Sequence, residues 1–286
     1  MKEKIKSYCN SIGIQEIGFV KCRRFDELIS FYNYRKENNL ENEFEESDIE
    51  KRINPKLYMN EGKTIISIAF PYLWNNDYVE NGFSKYTKGY DYHKVVKMHL
   101  DKICNMIIEA GGKAISLVDS NALPERYIAY LAGVGFIGKN NMIITKTHGS
   151  YVFLGEIITD LNLYDDDVRK FDEISKFKEC GECTICYKEC PTKAINEYKK
   201  NPNICTSYIT QKKELTDIEI KLLKDKIFGC DVCQNKCPHN ENISFSKIKE
   251  FKPLEFMVNM KFMLKLIIKH LRKRYYLLHV DGEAKI

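Results

Sequence analysis

Along the first 170 positions the apolar residues switch repeatedly between helical spacing and short strand-like runs, the signature of a layered α/β or α+β arrangement. Lys2 to Ile12 is periodic as a helix, and Glu16 to Val20 reads as a short strand. Thr64-Ile-Ile-Ser-Ile-Ala-Phe-Pro71 is an apolar run stopped by proline, a strand buried on both faces. Asp91 to Ala110 predicts a long helix ended by Gly111-Gly112, Ala114 to Val118 the next strand, and Leu123 to Leu131 a helix with Pro124 in its first turn. Met142 to Thr145 and Tyr151 to Thr159 read as strands joined in a hairpin across His148-Gly149. Asp165-Asp-Asp167 marks a polar linker. Beyond it short helices are expected after Pro191, around Cys205 to Lys212 and over Thr216 to Lys226. Near the end, Lys261, Lys265 and Lys269 recur at i, i+4 and i+8 with apolar residues between them, as on an amphipathic helix.

The cysteines change the picture. Of 11, eight lie between Cys180 and Cys237. The first group, Cys180-Gly-Glu-Cys183-Thr-Ile-Cys186-Tyr-Lys-Glu-Cys190-Pro191, is the C-x2-C-x2-C-x3-C-P run of two-cluster ferredoxins, in which the fourth thiolate serves the other cluster. The remaining ligands are Cys205 and the run Cys230-Asp-Val-Cys233-Gln-Asn-Lys-Cys237-Pro238. The expected partition places Cys180, Cys183, Cys186 and Cys237 on one 4Fe-4S cube, and Cys190, Cys205, Cys230 and Cys233 on the other. Two zinc sites would also use eight thiolates, but zinc favours separated C-x2-4-C pairs. Disulfides would need an oxidising compartment, whereas the chain opens MKEKIKSYCN with no apolar signal segment, which implies a reducing cytoplasm. Cys9, Cys22 and Cys104 stand apart and read as buried structural thiols.

A chain of 286 residues, 44% apolar, can bury a sizeable core in one large or two ordinary domains, and no apolar run is long enough to span a membrane. The net charge of +5 is concentrated from Lys247 to Ile286, where ten Lys and Arg face four Asp and Glu. That basic tail is either a solvated helix face or a nucleic-acid contact. The acidic stretch from Glu37 to Glu50 reads as a solvated surface segment.

Two motif matches carry less than their letters suggest. Gly133-Val-Gly135-Phe-Ile-Gly138-Lys139 satisfies G-x-G-x-x-G, but a nucleotide loop needs a strand before it and a helix after it, and here the predicted order is reversed. The glycines still permit close approach of backbone to a cofactor. Asp91-Tyr-His93 begins like the D-x-H-x-x-G signature of some cobalamin proteins, but Val96 stands where the glycine would be.

Taken in order, several stretches between about residues 50 and 240 resemble epoxyqueuosine reductase, the cobalamin and iron–sulfur enzyme of tRNA modification. They are Asp91-Tyr-His93-Lys94, Val118-Asp119-Ser120, Glu125-Arg126, Ala132 to Asn140, Gly149-Ser150, Leu154-Gly155-Glu156-Ile157, the first cysteine run, Cys205-Thr-Ser207-Tyr208 and Gly229-Cys230-Asp231-Val-Cys233-Gln234. The resemblance implies an α+β architecture: a cobalamin-binding α/β domain over 1–170, a ferredoxin-like double-cluster domain over 171–245, and a short basic helical tail over 246–286. The pairing is shared distantly with reductive dehalogenases.

The resemblance also implies the chemistry. Epoxyqueuosine at the tRNA wobble position would be reduced to queuosine by cobalamin fed from two 4Fe-4S clusters and an external low-potential electron donor. Asp119 matches the family's proton donor, and to act at neutral pH its carboxyl would need to be raised by burial. Arg52, Ser84, Tyr86, His93, Asp119, Gly135, Gly138, Lys139, Asn140, Ile143 and Leu154 are the expected cobalamin contacts, with Ser207 and Gln211 near its rim. The expected partner is the tRNA anticodon stem-loop, approached by a cytoplasmic monomer with no membrane association. Longer family members continue into a helical-repeat domain that helps hold the RNA, whereas this sequence stops 48 residues after Pro238. The rivals are a corrinoid reductase with another substrate or a partner's corrinoid to reactivate, and a ferredoxin-like electron carrier.

Overall fold

The computed structural model describes residues 1–75, 80–165, 169–198 and 200–258. Its centre is an antiparallel sheet in the order β1 (Ile17–Lys21), β2 (Thr64–Pro71), β6 (Val152–Thr159) and β3 (Ala114–Leu117). Strand β2 is buried along its whole length because both faces of the sheet are covered. Side chains alternate across a strand. Ile66, Ile68 and Phe70 therefore meet Ile5 and Cys9 of α1 (Lys2–Ser11) and Val96, Leu100 and Ile103 of α4 (Tyr92–Glu109). Ile65 and Ala69 point the other way, toward Tyr32 of α2 (Ile29–Glu37), Ile53 of α3 (Ile49–Ile53) and Ile128 of α5 (Glu125–Leu131). Each fully buried isoleucine contributes about 2 kcal/mol by leaving water. Gly155 is needed for this layering, since a Cβ there would lie 2.7 Å from Val96 of α4.

The predicted helices and strands of this half appear within a residue or two of their expected bounds, with one correction. Residues 143–144 do not form a hairpin with residues 151–159. Strand β5 (Ile143–Ile144) pairs with β4 (Phe136–Ile137) in a separate ribbon, while β6 runs inside the main sheet. Only an isolated bridge joins Thr145 to Gly149. The glycine loop does follow a helix, α5, and leads into strands, so the nucleotide-loop topology is absent as expected. Cys9, Cys22 and Cys104 are buried, and burial pushes their thiols up to about 12, 11 and 12. They are inert structural groups.

The cysteine-rich half consists of α6 (Ile185–Glu189), α7 (Thr206–Ile209), α8 (Asp217–Leu223), α9 (Val232–Asn235) and α10 (Glu255–Val258). The expected helix after Pro191 is a turn instead, closed by a bridge between Ile195 and Lys200. Helix α8 starts with a capping box between Thr216 and Glu219. The lysine-studded segment over 261–276 lies outside the described residues, as does part of the 165–167 linker. Among the described residues no helix is long and apolar enough to cross a membrane.

The two halves are joined by hydrogen bonds at the second cysteine run. Asp231 accepts the Ser84 hydroxyl through Oδ1 and the Lys85 N–H at 2.7 Å through Oδ2. Ser84 N–H donates to Phe228 O at 2.8 Å. Between these bonds sits Gly229, at φ 76°, where a Cβ would lie 2.6 Å from the Ser84 Cβ. Farther along, Ser150 donates its hydroxyl to Gln234 at 3.0 Å and its N–H to Asn240 at 2.7 Å.

Candidate functional site

All eleven cysteines are free thiols. Cys180, Cys183, Cys186 and Cys237 border one cavity of about 230 Å³, together with Lys139, Asn140, Ile144, Glu179, Pro238 and His239. Cys186 is raised to about 11, first by burial and then by the fields of Cys180, Cys237 and Cys183. Cys233 is raised by burial and then by Cys230, Cys205 and Cys190, with Cys186 after them. Cys180, Cys183, Cys186 and Cys237 thus share one cavity, and Cys233 lies within the fields of Cys230, Cys205, Cys190 and Cys186. Among the described residues no three Cys, His, Asp or Glu side chains are grouped as a single ion would need. Thiols arranged around a cavity fit a cube better than a point.

Lys139 braces the first set. Its backbone N–H donates to Cys180 Sγ at 3.5 Å, and its ammonium donates to Gly181 O at 2.6 Å and Cys183 O at 3.1 Å. Asn140 Nδ2 reaches Cys233 O at 3.4 Å. The loop between α5 and β5 therefore touches both thiol sets.

A second constellation surrounds Asp119, which leaves β3 with φ at 49°, a left-handed conformation that aspartate tolerates better than most residues. Its Oδ2 accepts from the Tyr92 hydroxyl at 2.9 Å and meets His93 Nε2 at 3.1 Å. His93 Nδ1 faces Asp91 Oδ1 at 2.9 Å. Both Tyr92 and His93 come from the first turn of α4, whose N-cap is Asp91. Burial alone would lower the His93 imidazole, but its bonds to Asp91 and Asp119 and their charges outweigh it, so its pKa is raised. Tyr92 is raised by burial and then by the Asp119 charge, while its ring stacks on Phe153 at 4.3 Å. A lone histidine in the sequence is thus the middle of an Asp91–His93–Asp119 chain.

Arg126, in the first turn of α5, is lowered by desolvation, with Tyr32, Arg35, Glu45 and Glu125 acting next. Lys200, from the cysteine-rich half, is lowered to about 8 by burial and then by Arg126, so cations of the two halves lie near one another.

The expected cofactor contacts divide. Tyr86, half-buried, is raised to about 12 by burial and then by Asp231 and Asp119, which places it between the cysteine-rich half and the Asp119 loop. Lys139 and Asn140 sit against the thiols, Gly135 and Gly138 are packed against Ile144, and Leu154 is partly buried on β6. Ser207 O accepts from the exposed Gln211 at 3.0 Å. Three others are engaged inside the protein. Ser84 is 3% exposed and bonded to Asp231. Ile143 is 3% exposed in the core. Arg52 directs its terminal nitrogens to Glu41 and Glu45, each at 2.9 Å, and lies 3.9 Å over the Tyr32 ring. The same ion pairs correct the reading of Glu37 to Glu50 as merely solvated, because Glu45 also binds Arg35 at 2.6 Å. Sequence reasoning missed Tyr92 and gave no role to Glu125 or Glu156. A glutamate in the apolar strand Leu154-Gly-Glu156-Ile-Ile was the available signal.

Comparison with known proteins follows this geometry. The family described as "Epoxyqueuosine reductase QueG, DUF1730" matches residues 52–120, and "4Fe-4S double cluster binding domain" matches residues 179–240. An epoxyqueuosine reductase of Lactococcus garvieae is 34% identical over 88% of this chain and 73% of its own length. One from Bacillus subtilis is 34% identical over 88% of this chain and 67% of its own. Among solved structures, an epoxyqueuosine reductase with an epoxyqueuosine-modified tRNA-Tyr stem loop superposes with a TM-score of 0.80 at 33% identity, covering 90% of this chain and 70% of that one. A Bacillus subtilis epoxyqueuosine reductase with its catalytic aspartate loop swung out of the active site gives 0.79 at 32%, over 90% and 70%. A reductive dehalogenase, at 14% identity and a TM-score of 0.53 over 90% of this chain and 34% of its own, shares the fold alone.

Proposed function

The chain belongs to the epoxyqueuosine reductase family, and on that premise we propose that it reduces epoxyqueuosine in a tRNA anticodon stem-loop to queuosine, with Asp119 as the proton donor. The observation that carries this reading is the position of Asp119: on the loop after β3, bonded to Tyr92 and His93, with Tyr86 between it and the cysteine-rich half. The relatives' names and the structure with a modified stem loop support the substrate.

Cys180, Cys183, Cys186 and Cys237 would hold one 4Fe-4S cube, and Cys190, Cys205, Cys230 and Cys233 the other, in a ferredoxin-like domain over about 171–245. Tyr86, His93, Asp119, Gly135, Gly138, Lys139, Asn140 and Leu154 of the 1–170 domain would bound cobalamin, with Ser207 and Gln211 near its rim. Cobalamin, when bound, supplies the low-potential reduction of the substrate's carbon–oxygen bond. Removing the epoxide oxygen as water consumes two electrons and two protons, and an alkoxide leaves poorly unless an acid meets it. The Asp119 carboxyl would deliver one proton to that oxygen while the Tyr92 hydroxyl and His93 Nε2 hold its Oδ2. The raised His93 would then reprotonate Asp119, which delivers the second proton. Electrons arrive from an external donor to a cytoplasmic monomer.

The test is anaerobic reconstitution with iron, sulfide and cobalamin, followed by reduction in the presence of an epoxyqueuosine-containing stem-loop. Eight irons, one corrinoid per chain and queuosine as product are expected. Clusters without bound corrinoid would replace this reading with an electron carrier, and bound corrinoid without RNA turnover with a corrinoid reductase of another substrate.

A further inference from the structure

Glu156 lies mid-strand in β6, in register with Ser67 on one side and Leu117 on the other, and is 0% exposed. Its Oε1 meets the Ser67 hydroxyl at 3.3 Å, while no donor among the described residues reaches its Oε2. The group interacting with it is another carboxyl, Glu125, from the first turn of α5. Glu125 Oε1 in turn accepts the backbone N–H of Asp119 at 2.9 Å and Asn121 Nδ2 at 2.8 Å. A carboxyl pair thus stands behind the loop that carries Asp119, and the loop backbone is tied to one of its oxygens.

Two ionised carboxylates are not stable together in such surroundings. Burial raises both, Glu125 to about 7 and Glu156 well above the carboxylate range, and their mutual interaction raises Glu156 further. A single proton held between them removes the repulsion. Glu125 already accepts from the Asp119 N–H and Asn121 Nδ2, bonds that favour its ionised form, whereas Glu156 accepts only from Ser67 among the described residues, so the proton resides on Glu156. The other charged or titratable groups facing the pair are Asp119 from the loop, Tyr92 from α4 and Arg126 from α5, with only the Ser67 hydroxyl from β2. Arg126 directs its Nη1 to Asn141 O at 2.7 Å.

We propose that Glu125 and Glu156 form a one-proton pair that positions Asp119: Glu156 donates to Glu125, and Glu125 so fixed holds the turn over residues 119–121 with Asp119 aimed at Tyr92 and His93. The proposal rests on the reading of Asp119 as proton donor and adds two positioning residues to it. Loss of the shared proton places two negative charges side by side, separates the carboxyls and frees the turn, so Asp119 leaves its partners.

The experiment pairs hydrogen exchange over residues 118–122, corrected for the intrinsic pH dependence of exchange, with the pH profile of kcat on the cluster- and cobalamin-loaded enzyme. In the unsubstituted protein, protection falls at least about tenfold above neutrality as the pair ionises, and kcat falls with it. Glu156→Gln, whose amide donates to Glu125 at every pH, keeps protection and removes the alkaline fall in kcat. Glu125→Ala loses protection at every pH and lowers kcat about a hundredfold with KM little changed, as expected for a misplaced donor. An unaltered alkaline fall in both readouts for Glu156→Gln would overturn the proposal, as would full loop protection in Glu125→Ala. If Glu125→Ala fails to fold, Glu156→Gln alone decides. Exchange needs no substrate, so absence of turnover on the RNA would count against the assigned reaction while the loop measurement still judged the pair.

Discussion

The Lys139 ammonium bridges the Gly181 and Cys183 carbonyls while its own N–H donates to Cys180 Sγ, so one residue of the α/β half fixes both the backbone and a sulfur of the first cysteine run. Groups outside the ligand set that orient it are worth roughly ten- to a hundredfold in metal retention. Lys139→Ala removes the two carbonyl bonds and keeps the N–H. Iron release to a chelator, followed optically, is expected to be about tenfold faster than in the unsubstituted protein, with no change in folding by circular dichroism. Unchanged release would show that the carbonyls do not need the ammonium.

Asp119→Asn preserves the hydrogen-bonding shape but supplies no acidic proton. It is expected to retain eight irons and the corrinoid yet lose turnover, whereas Tyr92→Phe, which removes one of two partners of Oδ2, lowers kcat about tenfold. Single-turnover assays on the modified stem-loop separate the two. Substantial turnover by Asp119→Asn would remove Asp119 as proton donor.

His93 gives a pH dependence whose sign is fixed by its raised imidazole. Its contribution to stability is fully present below the unfolded value near 6.5 and is lost as pH rises through the higher folded value. The side chain is 43% exposed, so solvent screening holds the effect below about 1 kcal/mol. Urea midpoints should decline across that window in the unsubstituted protein. In His93→Gln this component should be missing, and an identical decline would assign it to other groups.

Glu45 lies between two guanidiniums, Arg35 at 2.6 Å and Arg52 at 2.9 Å, all three side chains largely buried. Glu45→Ala leaves like charges facing each other and is expected to destabilise the protein by about 2–4 kcal/mol, measured by urea unfolding. Glu41 still pairs with Arg52, so Glu41→Ala in the same background should add to the loss rather than reverse it.

What could be read beforehand depended on the range of the interaction that decides each feature. Helix α4 and strand β2 were legible because periodicity and end signals are local: Asp91 caps the helix, Gly111 turns after it, and proline ends the strand. The pairing of β5 with β4 was not, since two short apolar runs carry no mark of which partner each will take. The same holds at the site. Cysteine spacing announced the double-cluster domain, whereas Tyr92, Glu125 and Glu156 acquire meaning only when β3, α4, α5 and β6 converge on Asp119. The polar groups of Arg52 and Ser84 likewise meet partners 7 and 147 positions away, which no local pattern reveals.

The bonds from Asp231 to Ser84 and Lys85, and from Ser150 to Gln234 and Asn240, bear on the order in which the protein is made. Synthesis runs from the N-terminus, so the sheet and its helices emerge while Ser84 and Ser150 still lack the acceptors they will meet. The two halves can be joined only after residue 240 has been made. A nascent chain therefore passes through an interval in which the edge at Ser84 and Ser150 is open, and the core itself stays unfinished until Ile248 and Phe251 arrive.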